Sequence, residues 1–167
     1  MTPYRIRPAE PPDVPAVVAM VHELAEFERA PAECTLTDAQ LAAALFAGHP
    51  ALFGHVAVDR TGEPAGFALW FLNYSTWTGT HGIYLEDLYV TPAHRGAGLG
   101  RELLAELARI CVQRGYHRLQ WWVFDWNPAT GFYRSLGALP MQEWTVYRLT
   151  GAALGNLAAS AADPPAR

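Results

Sequence analysis

Apolar residues recur at helical spacing through Val14, Val17, Val18, Val21, Leu24 and Ala25. That stripe predicts a helix opening at Pro11-Pro12-Asp13, with Asp13 as its cap. Thr37-Asp38-Ala39-Gln40 has capping-box spacing ahead of Leu41, Leu45 and Phe46, and so predicts a second helix, ended by Gly48. Strands are expected at Tyr4–Arg7, Leu52–Val58 and Ala65–Asn73, the last two joined by a turn at residues 60–63. A further strand is expected at Ile83–Val90, from its aromatic and β-branched content. The clearest helix follows: Leu99, Leu103, Leu107, Ile110 and Cys111 share one face, Arg101, Glu102, Glu106 and Arg114 the other, and Gly115 ends it. His117–Phe124 reads as a strand buried on both faces, Pro128–Leu136 as a helix closed by Gly137, and Trp144–Leu149 as a last strand.

The resulting order, β-α-α-β-β-β-α-β-α-β, places helices on a mixed sheet. This is an α/β fold, or α+β in strict usage. At 167 residues the chain is expected to form one domain over residues 1–150. Residues 151–167, rich in Ala, Gly, Ser and Pro, form a partly disordered tail with room for a short helix near Ala152–Leu157.

Composition narrows the function. Hydrophobic residues are 51% of the chain, charged residues 17%, and mean hydropathy is +0.02, an ordinary globular balance. The apolar runs are shorter than a membrane span needs, and the start lacks the apolar stretch of a signal peptide. A cytoplasmic protein without a membrane partner is therefore expected. Net charge is −4, and all 12 basic residues are arginine. An acidic chain without lysine is ill suited to track a nucleic-acid backbone, and an acidic cleft favours a cationic partner. The absence of lysine also excludes a Walker-type phosphate loop, Schiff-base chemistry and a lysine base. Cys34 and Cys111 read as reduced thiols, and the six histidines show no metal-ligand spacing, so no metal is expected.

Three segments carry chemistry. Between a strand and a helix lies Arg95-Gly96-Ala97-Gly98-Leu99-Gly100-Arg101. Alternating glycines let main-chain amides converge on an anion, the helix start adds partial positive charge, and Arg95 and Arg101 add guanidinium contacts. These features describe a pyrophosphate cradle. A Rossmann fingerprint fits less well, because position 101 is arginine where that motif needs glycine. Upstream, Glu86 and Asp87 interrupt a β-branched, aromatic strand. Simple alternation sends them to opposite faces, so that one enters a cleft. Downstream, Asn127 stands at a strand end where a helix cap belongs, and Tyr133 lies on the following helix.

The order of L-E-D-L-Y-V (85–90), R-G-A-G-L-G (95–100), D-W-N-P (125–128) and F-Y-R-S-L-G-A (132–138) resembles the GNAT superfamily of acetyl-CoA-dependent N-acetyltransferases. The resemblance spans about Tyr4 to Leu149 and implies a mixed, mostly antiparallel sheet. H-E-L-A-E-F-E (22–28), Y-S-T-W-T-G (74–79) and I-Y-L-E-D-L-Y-V (83–90) are similar to the diamine acetyltransferase branch, which holds spermidine/spermine and thialysine N-acetyltransferases. It implies that Leu88, Tyr89 and Val90 pair with the pantetheine arm of CoA beyond a bulge. It further implies that Arg95, Gly96, Ala97, Gly98, Leu99, Gly100 and Arg101 hold the pyrophosphate, and that Asn127 touches the cosubstrate.

In the same resemblance Tyr133 protonates the departing thiolate, Glu86 is the general base, and Phe27, Glu28, Trp77 and Asp87 lie at or near the amine. Ser75-Thr76 stand where the spermidine/spermine enzymes have Asp-Pro, which favours the thialysine form. Leu139–Trp144 is shorter than the family's acidic loop, so Glu143 receives no role. The expected protein is an acetyl-CoA-dependent acetyltransferase of a small primary amine, a lysine-like or thialysine-like amino acid or a diamine, and a homodimer. The alternatives are the same chemistry on a protein N-terminus or an antibiotic amine, and a non-catalytic CoA-binding sensor.

Overall fold

A computed structural model describes residues 4–161. Within these residues the chain divides between Trp122 and Val123 into two compact units. The first contains β1 (Arg5–Pro8), α1 (Val14–Phe27), α2 (Asp38–Phe46), β2 (Phe53–Val58), β3 (Pro64–Ser75), β4 (Thr80–Val90), α3 (Leu99–Arg114) and β5 (Leu119–Gln120). Its sheet has the order β1-β2-β3-β4-β5, antiparallel throughout except for the parallel β4–β5 pair. The mixed, mostly antiparallel sheet with helices agrees with the expected fold class.

The expected cap of α2 forms. The Gln40 amide donates to Thr37 Oγ1 at 3.3 Å, and the Thr37 amide donates to Gln40 Oε1 at 2.9 Å, closing the capping box of α2. Asp13 stands at the start of α1 as expected, but its side chain makes no capping bond to the helix amides and serves other partners. Its carboxylate takes a two-pronged contact from Arg7, at 2.6 and 2.9 Å, and accepts from the Glu10 amide at 2.7 Å. This ties β1 to the entry of α1. Burial opposes the charge on Asp13, but these contacts outweigh it and hold the carboxyl below its usual range.

The sheet is buried on both faces by alternation along its central strands. Val56, Val58, Phe67, Leu69 and Tyr89 pack against Val14, Val17, Val18, Met20, Leu41 and Leu45 of α1 and α2. The intervening Ala57, Ala68 and Trp70 belong to the other face, which α3 covers with its buried Leu99, Leu103, Leu107 and Ile110. Alanines opposite a leucine-rich helix let the two layers approach closely. Each fully buried leucine contributes about 1.5–3 kcal/mol by removal from water.

The second unit contains α4 (Thr130–Ser135) and α5 (Gly151–Ala159). Two expectations change here and at the sheet edge. The strand expected over His117–Phe124 pairs only at Leu119 and Gln120, and Trp122 and Phe124 are exposed rather than buried on both faces. β5 is a two-residue edge strand, so the residues after Gln120 are not part of the sheet whose faces are covered. The strand expected over Trp144–Leu149 has no ladder partner among the described residues, and its side chains are exposed. An apolar, β-prone sequence supplies the tendency to extend, but a strand exists only where another strand accepts its hydrogen bonds. The tail helix forms and is longer than expected. Residues 162–167, where little order was expected, lie outside the described set.

Candidate active site

In the first unit, β4 carries the carboxylates toward the glycine loop. Leu69 pairs with Asp87 and Trp70 with Leu85, so Glu86 is left without a partner across the ladder. This is a bulge, in which one extra residue interrupts an otherwise regular antiparallel pair. The alternation that would separate Glu86 from Asp87 therefore does not apply. Asp87 shares a face with Leu69 and Tyr89, both part of the cluster packed against α1 and α2. Glu86 is exposed and Asp87 is half-buried. Burial, reinforced by the charges of Glu86 and Glu28, pushes the Asp87 carboxyl up to about 6.

Glu28 reaches this cluster from the end of α1. Its own carboxyl is raised by burial. Phe27 precedes it and is 40% exposed. The helix closes with a non-glycine residue in the left-handed region, Arg29 at φ 64°. The Ala30 amide donates to the Ala25 carbonyl at 2.9 Å and the Arg29 amide to Glu26 at 3.0 Å, so the backbone pattern of the C-terminal cap overrides the side-chain penalty. Trp77 lies elsewhere. It is 92% exposed in the turn between β3 and β4. Seven residues of strand separate Thr80 from Asp87, about 23 Å at 3.3 Å per residue.

Past the bulge, the second edge of β4 is largely open. Its pairing with β5 is confined to Ile83 and Tyr84, so Leu88, Tyr89 and Val90 have a strand neighbour only on the β3 side among the described residues. The strand then enters the loop through two anchors. Thr91 donates its amide to the Ala65 carbonyl at 3.0 Å, and Arg95 Nε donates to the Val90 carbonyl at 2.9 Å. The Arg95 guanidinium also lies over the Tyr89 ring, 5.3 Å from its centre, while the Tyr89 hydroxyl donates to Glu23 Oε2 at 2.8 Å.

Gly96 and Gly98 adopt φ of 80° and 81°, a region that a side chain disfavours. Gly98 is the residue before α3, and no side chain caps the helix there. The amides of Leu99, Gly100 and Arg101 consequently point from an open helix start, where the macrodipole favours an anion. Ala97 and Arg101 are exposed beside them, whereas Leu99 is turned into the core. The donor set suits a diphosphate.

Asn127 and Tyr133 belong to the second unit. Asn127 Oδ1 accepts from the Ala129 amide at 2.8 Å, and its carbonyl accepts from Thr130 at 3.2 Å, so it turns the chain toward α4, although the N-cap position itself is Ala129, without a side-chain cap. Tyr133 is half-buried on α4, its ring 5.3 Å from that of Phe132. Glu143 is exposed. Sequence reasoning missed Glu23 as the partner of Tyr89, as well as the Thr91–His94 contact at 2.7 Å that steadies the loop entry. The i, i+3 spacing of Thr91 and His94 was the available signal for the second.

Comparison with known proteins places these features in a family. Residues 18–138 match the acetyltransferase (GNAT) family. A thialysine N-epsilon-acetyltransferase of Mus musculus is 34% identical, over 95% of this chain and 99% of the relative. An L-ornithine N5-acetyltransferase of Arabidopsis thaliana is 31% identical, over 90% of this chain and 86% of the relative. Among solved structures, an integron cassette protein from the mobile metagenome of V. cholerae superposes with a TM-score of 0.78 at 28% identity, covering 96% of this chain and 99% of that one. The chain therefore belongs to the acetyltransferase (GNAT) family and is an N-acetyltransferase.

Proposed function

We propose that the protein transfers the acetyl group of acetyl-CoA directly to the primary amine of a small cationic acceptor, a lysine-like or thialysine-like amino acid or a diamine. The observation that carries this reading is the bulge that frees Glu86 from the ladder beside Asp87 and Glu28. Three carboxylates gathered on one unit attract an ammonium ion, and an arriving cation relieves their mutual repulsion. Relatives named for thialysine and ornithine act on acceptors of this kind. The left-handed glycines and the open start of α3 support diphosphate binding, with Arg95 and Arg101 as cationic flanks. The free edge of Leu88–Val90 supports main-chain pairing with the pantetheine arm, and Asn127 is assigned a cosubstrate contact.

Acetyl-CoA supplies the thioester. An alkyl amine with a pKa near 10.4 must first lose a proton, which costs about 4–5 kcal/mol at pH 7. Glu86 accepts that proton, directly or through water, while Asp87 and Glu28 hold the cation and Phe27 is assigned to the acceptor's apolar part; Trp77, in the distant β3–β4 turn, is given no contact with the acceptor. The amine nitrogen then attacks the carbonyl carbon, the carbon–sulfur bond breaks, and Tyr133 donates a proton to the departing thiolate. A panel of thialysine, lysine, ornithine, spermidine and putrescine with acetyl-CoA, followed by thiol release, tests the reading. Turnover led by the amino acids is expected. Tight CoA binding with no turnover on any amine would overturn it in favour of a sensor.

A further inference from the structure

At the end of α3 far from the glycine loop, the first unit forms a half-open cavity of about 390 Å³, within the size range of small-molecule sites. Phe53, Trp70, Leu45 and Ile110 form apolar walls, and the Phe53 and Trp70 rings stack at 4.6 Å. The polar part is unusual. His55, 6% exposed, accepts a hydrogen bond at Nδ1 from the Trp70 indole N–H at 3.1 Å. Because an indole nitrogen can only donate, the neutral imidazole carries its proton on Nε2. The carboxylate facing that nitrogen, Glu106 Oε1, stands 3.9 Å away, beyond hydrogen-bond reach.

Glu106 is committed elsewhere. Arg109 grips it with two donors, one at 2.7 Å, and spends a third on Gln113 Oε1 at 2.6 Å. The His55 Nε2–H is thus left without a hydrogen-bond acceptor among the described residues, inside a cavity wall. Arg114 lines the same cavity and makes no ion pair or hydrogen bond among those residues. Glu106 and Arg109 cancel, so the lining keeps one net positive charge.

We infer that this cavity binds a small monocarboxylate with an apolar body, its oxygens accepting from His55 Nε2–H and Arg114 and its body lying on Phe53, Trp70 and Ile110. A neutral hydrocarbon would displace water from the His55 N–H without offering it an acceptor, and a cation would meet Arg114. Burial, together with Arg109 and Arg114 and against the pull of Glu106, keeps His55 neutral, consistent with a donor whose proton is fixed on Nε2. The site shares no residue with the glycine loop or the carboxylate cluster.

The test is titration of the full chain with phenylacetate, following the Trp70 indole N–H by NMR and assigning its signal with Trp70→Phe. A saturable shift at Trp70 is expected. Phenylacetamide, and phenylacetate with Arg114→Gln, should each bind about five- to tenfold more weakly, while acetyl transfer by Arg114→Gln stays unchanged. His55→Phe removes the donor outright, but Arg114→Gln, altering an exposed side chain, keeps the test decisive if that variant fails to fold. No saturable shift at Trp70, or equal affinity for acid and amide with Arg114→Gln unaffected, overturns the inference.

Discussion

Asp87 lies opposite Leu69 in the β3–β4 ladder, on the face that α1 and α2 cover, while the adjoining Glu86 has nothing opposite it. The same two-residue step thus sends one carboxyl toward the core and leaves the other uncommitted.

The half-buried Asp87 carboxyl has a measurable cost. Its pKa rises from 3.8 to about 6 on folding, so the native state binds the proton more tightly than the unfolded chain. The stability it gives is full below pH 4 or so, fades as pH rises through about 6, and is lost by about 3 kcal/mol at pH 7 and above. Asp87→Asn should therefore unfold at higher denaturant than the parent at pH 8, with the difference closing by pH 4. A variant no more stable than the parent at pH 8 would refute the burial argument.

The uncommitted carboxyl makes the opposite prediction. Glu86→Gln should leave the denaturation midpoint within about 0.5 kcal/mol of the parent, as for an ordinary surface change. Its pH–rate profile should move alkaline, because the amine must then lose its proton to solvent. An unaltered profile would remove Glu86 as the base.

Tyr133→Phe keeps the ring packed on Phe132 and deletes only the phenol. Turnover should fall by about 10²-fold or more with acetyl-CoA affinity retained. Measured binding and single-turnover rates separate the two effects, and an unchanged rate would remove Tyr133 as the acid.

Gly98→Val places a β-branched residue at φ 81°, a strain of order 1–2 kcal/mol or more. CoA affinity should collapse, by calorimetry, while far-UV circular dichroism shows the sheet and helices intact. Retained affinity would mean that the loop conformation is not what binds the diphosphate.

Arg29→Gly should do the reverse and stabilise. Relieving a left-handed non-glycine residue is worth about 0.5–1 kcal/mol. In a chain of this size that raises Tm by about 1–4 °C. A lower Tm would show that the Arg29 side chain contributes more than its backbone costs.

Much of this was legible in the chain. The leucine stripe of α3, its glycine end and the Thr37–Gln40 box are local, fixed by spacing and side-chain chemistry within a turn or two, and they formed as expected. The bulge at Glu86 was not legible in the spacing, because it is a property of two strands. L-E-D-L alternates no better in one register than another until Leu69 and Trp70 are set against it. Trp144–Leu149 failed for the same reason: its sequence favours extension, and nothing in it names a ladder partner. His55 gave no signal at all, since its significance depends on Trp70, fifteen residues away, supplying the proton that fixes its tautomer.

The ladder numbers on either side of the bulge are already in step: Leu85 meets Trp70 and Asp87 meets Leu69, as they would if position 86 were simply missing. Deleting that one residue would heal the hairpin into an unbroken ribbon without turning a single core side chain. Loss of the proposed reaction and preservation of the architecture are thus one codon apart, and a shortened copy would fold soundly and stay silent.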